Sequence, residues 1–431
     1  MNVHFIGIGG IGLSALARFL KYSGHKVSGS DIKATPITKE LQKEGIEVNI
    51  PQSANFINTQ DLVIYSAAVT PSNCEIMQAQ ENNLKLLSRK EALQIILNNT
   101  KNYCTCAAHG KSTTTAMLSS ILQSSALIGA ISKEFDSNFR YINDTLAFEA
   151  DESDESFILS NPYCSIVLNT ELEHMEYYEY DEKRFYDAYT KFLDIAQLRV
   201  INCEDEFLYK YEGDAIRFYP SLDISNIQSF LKEDEPYTRF TLKDMGEFEV
   251  WGFGNHIASN ASAAILAASQ TMDINIIRKN LKEKYKGIKK RFDVVFKKDD
   301  FVIIDDYAHH PTEIKVTMQS VKLYNDLKNI KQTTVIWQPH KYSRTQDNLE
   351  EFKRCFDGCD KLIILPVWTV AEKILLIDFV HEFAHYNPIF ATRVVSKEGM
   401  LEVLNGDEVI DTICEGTILG VGAGDITYQL R

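Results

Sequence analysis

The chain has 431 residues, 45% of them hydrophobic, and a formal charge of −15. That length suits about two to four domains, each able to bury a core, and the acidity argues against a nucleic-acid surface, which needs a basic patch. No basic segment precedes an apolar stretch at the N-terminus, and no apolar run approaches the ~20 residues that cross a bilayer, so a cytoplasmic protein without a membrane partner is expected.

The predicted elements fall into three blocks. In the first, to residue 88, the strand Val3–Ile6 enters Gly7-Ile8-Gly9-Gly10-Ile11-Gly12 and a helix from Leu13 to Tyr22. Strands at Val27–Ser30 and Leu62–Tyr65 end at Asp31 and Ser66. Alternating strands and helices imply a parallel, doubly wound sheet. Gly7, Gly9 and Gly12 fit G-x-G-x-x-G, and Asp31 follows at the distance of a ribose-binding acid. The pattern predicts a pyrophosphate-bearing ligand and leaves open whether it is NAD or a nucleotide-sugar.

The second block, 89–294, opens with Tyr103–Cys106, a small-residue loop and a helix from Lys111. This is the layout of a phosphate loop, with backbone N–H groups, Lys111 for the β/γ-phosphates and Ser112 for a divalent cation. Thr105 stands where the full pattern has its first glycine, so an ordinary strand-to-helix turn is the alternative. Strand Leu146–Phe148 presents Glu149-Ala150-Asp151-Glu152-Ser153-Asp154, where a carboxylate can hold Mg²⁺. Glu152 and Asp154 are expected in a solvated acidic turn. Strand Ser165–Leu168 leads toward His174, for which spacing alone favours a surface position over a metal ligand. Residues 204–250 predict a small antiparallel excursion.

The third block, 295–431, carries strands at Phe301–Ile304, Thr334–Trp337, Leu362–Leu365 and Ile418–Val421, again suggesting a parallel sheet with its chemistry beyond the strand C-termini. The eight cysteines lack zinc-ribbon spacing, and reduced thiols are expected.

Six segments together resemble the Mur ligase family, over essentially the whole chain. They are His4–Gly12, Ser28–Asp31, His109–Thr115, Glu149–Asp154, Asp306–Glu313 and Gln338–Thr345. The resemblance implies an α/β protein of three domains: Rossmann-like (1–88), P-loop ATPase-type (89–294) and Rossmann-like (295–431). It implies ATP-dependent joining of L-alanine to UDP-N-acetylmuramate through an acyl phosphate, with Mg²⁺ or Mn²⁺, in a monomer or weak homodimer. The implied UDP-sugar residues are Gly9, Gly10, Ile11, Gly12, Asp31 and Ser66. The implied ATP residues are Ala107, Ala108, His109, Gly110, Lys111, Ser112, Thr113, His256, Asn260 and Arg291. Ser112, Glu149 and His174 are implied for metal, and Tyr307, His309, His340 and Arg344 for the amino acid. Lys111, His174 and Arg344 are the implied catalytic residues. A murein tripeptide ligase, a catalytically impaired nucleotide-sugar binding protein and a nicotinamide-dependent dehydrogenase are the alternatives.

The sequence departs from the family pattern in four places. Ala107-Ala108 stand for Gly-Thr, Ser112 for Thr and Ile257 for an asparagine. The final helix after Asp425 is expected to be short or absent.

Overall fold

A computed structural model describes residues 1–66, 68–369 and 372–431. The chain forms two compact units, one of Met1–Asn226, Phe240–Glu249 and Ala258–Lys286, the other of Ile227–Arg239, Val250–Ile257 and Gly287–Arg431.

The first unit holds two sheets. One is five-stranded and wholly parallel, in the order Glu47–Asn49, Lys26–Ser30, Asn2–Ile6, Leu62–Tyr65, Lys85–Ser88. Strand order reverses beside the central strand Asn2–Ile6, the position where doubly wound sheets bind ligands. Alternation along this strand sends Val3 and Phe5 into one hydrophobic layer and Ile6 into the other. The second sheet runs Ile216–Phe218, Leu198–Asn202, Pro162–Val167, Lys101–Cys106, Thr145–Glu149, Ser125–Ser132, Ser137–Arg140. It is parallel except for its last pair, an antiparallel ribbon that the sequence reading did not anticipate. That ribbon joins the two sheets. Phe19 of helix Ile11–Tyr22 packs edge-on against Phe139 and Tyr141, and Asn138 donates to the Ile11 carbonyl at 3.3 Å.

In the second unit a six-stranded sheet runs Asp293–Lys298, Phe301–Asp306, Gly416–Val421, Thr333–Trp337, Lys361–Ile364, Ile389–Phe390. It is parallel but for the antiparallel first pair. Strands Phe301–Asp306, Gly416–Val421 and Thr333–Trp337 are buried throughout, as in a sheet covered on both faces. An antiparallel three-stranded sheet, Arg393–Lys397, Met400–Asn405 and Glu408–Ile413, is a further unanticipated addition. The excursion expected within 204–250 is the consecutive set Ile224–Lys232, Glu235–Leu242 and Gly246–Trp251. The final helix is a single turn, Ile426–Gln429.

All eight cysteines are free, and Cys104, Cys106, Cys164, Cys203 and Cys355 are buried. No helix among the described residues is long and apolar enough to cross a membrane.

Candidate active site

Three groups of functional side chains lie at strand C-terminal ends. The first surrounds the turn after Asn2–Ile6. Gly7 adopts φ +81° close against Ser66, while the Gly7 and Ile8 N–H groups donate to the Ser30 carbonyl at 2.9 and 3.0 Å. The Gly9 N–H donates to the Asp31 carboxylate at 2.8 Å, and any Cβ at Gly9 would lie 2.7 Å from the same oxygen. The helix carrying Ile11 and Gly12 then starts with Gly10 as its N-cap. Gly9, Gly10, Ile11, Gly12, Asp31 and Ser66 thus lie around one turn. Arg89 was missed: its guanidinium lies against Gly12, where an added Cβ would displace it. Beneath the turn, buried Glu75 accepts from Ser30 at 2.5 Å and from the Ser53 N–H at 2.9 Å, and lies 3.3 Å from His4 Nε2.

The second group surrounds the turn after Lys101–Cys106. Gly110 takes φ +88° as the N-cap of helix Lys111–Leu122, a left-handed conformation that favours glycine. A Cβ there would meet Asn260 at 2.8 Å, so Asn260 abuts the loop. Ala107 is buried. Lys111 bonds the Ala107 carbonyl and pairs with Glu152 at 2.8 Å. This corrects the expectation of a solvated turn for Glu152, whose side chain is 1% exposed. Burial raises its pKa above the usual carboxylate value, and the adjacent Lys111 ammonium offsets only part of that rise. Burial also works against the Lys111 charge, yet Glu152 outweighs it and the lysine pKa is raised. Asp154 keeps the expected turn role, accepting from the Ser156 N–H at 3.0 Å.

Ser112 donates to Glu149 at 3.0 Å, and the other Glu149 oxygen accepts from the Gly129 N–H at 2.6 Å. A hydroxyl beside a carboxylate is a hard-oxygen pair suited to Mg²⁺ or Mn²⁺. His174 is exposed, and its ring, Glu152 and Glu173 can place ligand atoms within 4.8 Å of one another. Glu173 was not anticipated, since only its three-dimensional proximity to Glu152 marks it. The main chain of His109 is held by Asn169, and the His109 ring lies 3.3 Å from Glu171 and 3.6 Å from Glu173.

The third group lies in the second unit. Arg344, on the short helix Tyr342–Asp347, donates to His340 Nδ1 at 3.0 Å. Burial and the Arg344 charge hold the His340 imidazole down at about 4, so it is the neutral acceptor of this bond. The His309 ring lies edge-on to Tyr307 and His340, with centroids 5.3 and 6.0 Å away. Burial lowers the His309 pKa against the pull of Glu313. Arg291 stands over the Tyr307 ring at 5.9 Å and 3.4 Å from Glu313. Tyr307, His309, His340 and Arg344 therefore form one cluster, and Arg291 borders it. Glu372 was missed. It accepts from the Tyr342 N–H at 2.7 Å and from both the N–H and hydroxyl of Ser343, and the Ser343 hydroxyl is the main reason its pKa falls to about 2. It anchors the first turn of the Arg344 helix. Among the described residues, the Arg344 guanidinium has no carboxylate partner. His256 and Asn260 lie one turn apart on helix Asn255–Ala268, and Ile257 is buried against Gly252.

Residues 2–101 match the profile described as Mur ligase family, catalytic domain, and residues 290–394 that described as Mur ligase, glutamate ligase domain. The UDP-N-acetylmuramate–L-alanine ligase of Helicobacter pylori is 54% identical over 434 aligned residues, covering 100% of this chain and 96% of the relative. The chain belongs to the Mur ligase family. The corresponding enzyme of Campylobacter curvus is 50% identical, covering 100% of this chain and 99% of the relative. Among solved structures, the UDP-N-acetylmuramate-alanine ligase MurC of Thermotoga maritima superposes with a TM-score of 0.79 at 26% identity, covering 100% of this chain and 97% of the other. The three-domain α/β architecture of the Mur ligases is thereby that of this chain. In this Mur ligase Ala107 and Ala108 are accommodated in a turn whose left-handed residue is Gly110.

Proposed function

We propose that the protein joins L-alanine to UDP-N-acetylmuramate with ATP, through an acyl phosphate, in peptidoglycan precursor synthesis. The observation that carries this reading is 54% identity with an L-alanine ligase over an alignment that covers 100% of this chain. The proposed domains are 1–88, 89–294 and 295–431, in a cytoplasmic monomer or weak homodimer.

The proposed chemistry has two steps. A muramate carboxylate oxygen bonds to the γ-phosphorus as the bond to ADP breaks. The alanine amine then attacks the acyl carbon, the carbon–oxygen bond to phosphate breaks, and the nitrogen loses its proton. Gly9, Gly10, Ile11, Gly12, Asp31 and Ser66 hold the UDP-sugar, its pyrophosphate at the N-terminus of helix Ile11–Tyr22. Residues 107–113 cradle the ATP phosphates, and Lys111 exchanges Glu152 for the β/γ-phosphate oxygens. His256, Asn260 and Arg291 are further proposed ATP residues. Ser112 and Glu149 fit one divalent cation, and His174 with Glu152 and Glu173 fits a second. A bound cation would neutralise phosphate charge as the new bond forms. Arg344 takes the alanine carboxylate as a bidentate partner, positioned by His340 and Glu372. Tyr307 and His309 close the pocket around a small side chain.

The test is phosphate release from ATP by the full chain. Release should require both UDP-N-acetylmuramate and L-alanine. Release with the murein tripeptide in place of L-alanine would give the protein to the peptide ligases instead.

A further inference from the structure

The segment after strand Pro162–Val167 approaches the phosphate loop from a neighbouring strand end. Asn169 Oδ1 accepts from the His109 N–H at 3.0 Å, and Asn169 Nδ2 donates to the His109 carbonyl at 3.0 Å. One primary amide thus satisfies both main-chain polar groups of a single residue, as a neighbouring strand would. The residue it holds immediately precedes Gly110, whose φ of +88° turns the chain into helix Lys111–Leu122. Glu171 and Glu173 from the same segment flank the His109 ring at 3.3 and 3.6 Å. Within the loop the Lys111 ammonium holds the Ala107 and Ala108 carbonyls, whereas the main chain of His109 is held from outside the loop, by Asn169. Anion binding by such a loop depends on the directions of its N–H groups being set before the ligand arrives.

We infer that Asn169 is a positioning residue for the nucleotide: it clamps His109 and so presets the loop that receives the phosphates. The inference rests on reading residues 107–113 as the ATP loop. Asn169 itself touches neither phosphate nor metal in this role. An amide is needed because only an amide offers a donor and an acceptor side by side in one plane. Alanine leaves both His109 groups to water and the loop free to rearrange. Glutamine retains the amide on a longer arm and can restore the pair at some cost in loop position.

The experiment measures ATP affinity by calorimetry on the full chain, with KM values for ATP, UDP-N-acetylmuramate and L-alanine, for wild type, N169A and N169Q. Losing two neutral hydrogen bonds should weaken ATP binding about tenfold in N169A. N169Q should fall between N169A and wild type, and the KM values for the other two substrates should stay within about twofold. A merely structural asparagine would raise all three KM values together or leave ATP affinity unchanged in the folded protein, and either result overturns the inference. So does N169Q binding ATP no better than N169A. Should N169A not fold, N169Q alone decides, since wild-type ATP affinity in N169Q would equally overturn it. A wild-type chain that binds no ATP sinks the nucleotide reading and the inference with it; a wild type that binds while the variants match it sinks the inference alone.

Discussion

Two strand-to-helix turns in the first unit solve the same problem in different ways. The turn at 7–12 relies on small residues: four glycines let the backbone pass close to Ser66, Asp31 and Arg89. The turn at 107–112 has one glycine, Gly110, and is held by side chains from elsewhere, Glu152 on Lys111 and Asn169 on His109. The first turn is shaped by what its sequence lacks, the second by what its neighbours supply. A loop fixed by neighbours tolerates alanines where a self-fixed loop needs glycines, which accounts for Ala107-Ala108 in this turn.

The sharpest way to break this comparison is at Lys111. K111A should lower phosphate release by roughly 10²–10³-fold, the scale for losing one preorganised charge at a reacting phosphoryl group. It also strands a Glu152 side chain that is 1% exposed, so a stability loss of roughly 3–5 kcal/mol in chemical unfolding should accompany it. Unchanged stability would mean that Glu152 is not held by this lysine. Next in size is Gly110. A left-handed φ costs an L-residue roughly 1–2 kcal/mol, and Asn260 crowds the new Cβ at 2.8 Å, so G110A should raise the KM for ATP about tenfold or more. A wild-type KM would show that the neighbours can impose even this conformation without glycine.

A smaller effect concerns pH and the second unit. His340 protonates at about 4 in the folded protein against an ordinary 6.5, because burial and Arg344 oppose its charge. The unfolded chain therefore takes up this proton first as pH falls, and stability is lost between pH 6.5 and about 4. H340Q cannot protonate and should flatten that part of a thermal midpoint–pH curve; a curve as steep as wild type would contradict the assignment. The smallest effect is expected for A107G, which should remain active with ATP affinity changed by no more than about fivefold. Loss of turnover in folded A107G would show that Ala107 shapes the cradle directly.

What could be read in advance followed the same division. The glycine loop, Asp31, Lys111 and Ser112 sit in or at a fixed spacing from strand-to-helix turns, and that spacing is visible in the sequence. Glu152 was misread because three acidic neighbours look like a solvated turn, and only its approach to Lys111, 41 residues away, makes it a buried partner. Asn169 acts 60 residues from His109 and carries no local mark. Arg89 and Glu372 likewise work across large separations, on Gly12 and on the helix of Arg344. The strands Val3–Ile6, Leu62–Tyr65, Phe301–Ile304, Thr334–Trp337, Leu362–Leu365 and Ile418–Val421 were legible as apolar runs, whereas the parallel strands Glu47–Asn49 and Ile216–Phe218, the strand Ser137–Arg140 and the sheet from Arg393 to Ile413 are short, polar or solvent-facing and lack that signal.

The claim beneath the comparison is that each turn serves its own ligand, the first a UDP-sugar and the second ATP. Calorimetric titration of UDP-N-acetylmuramate and of ATP into wild type, D31A and G110A tests it most directly. The account expects D31A to lose affinity for UDP-N-acetylmuramate alone and G110A for ATP alone. Loss of ATP affinity in D31A with UDP-N-acetylmuramate affinity intact, or the reverse in G110A, would contradict it.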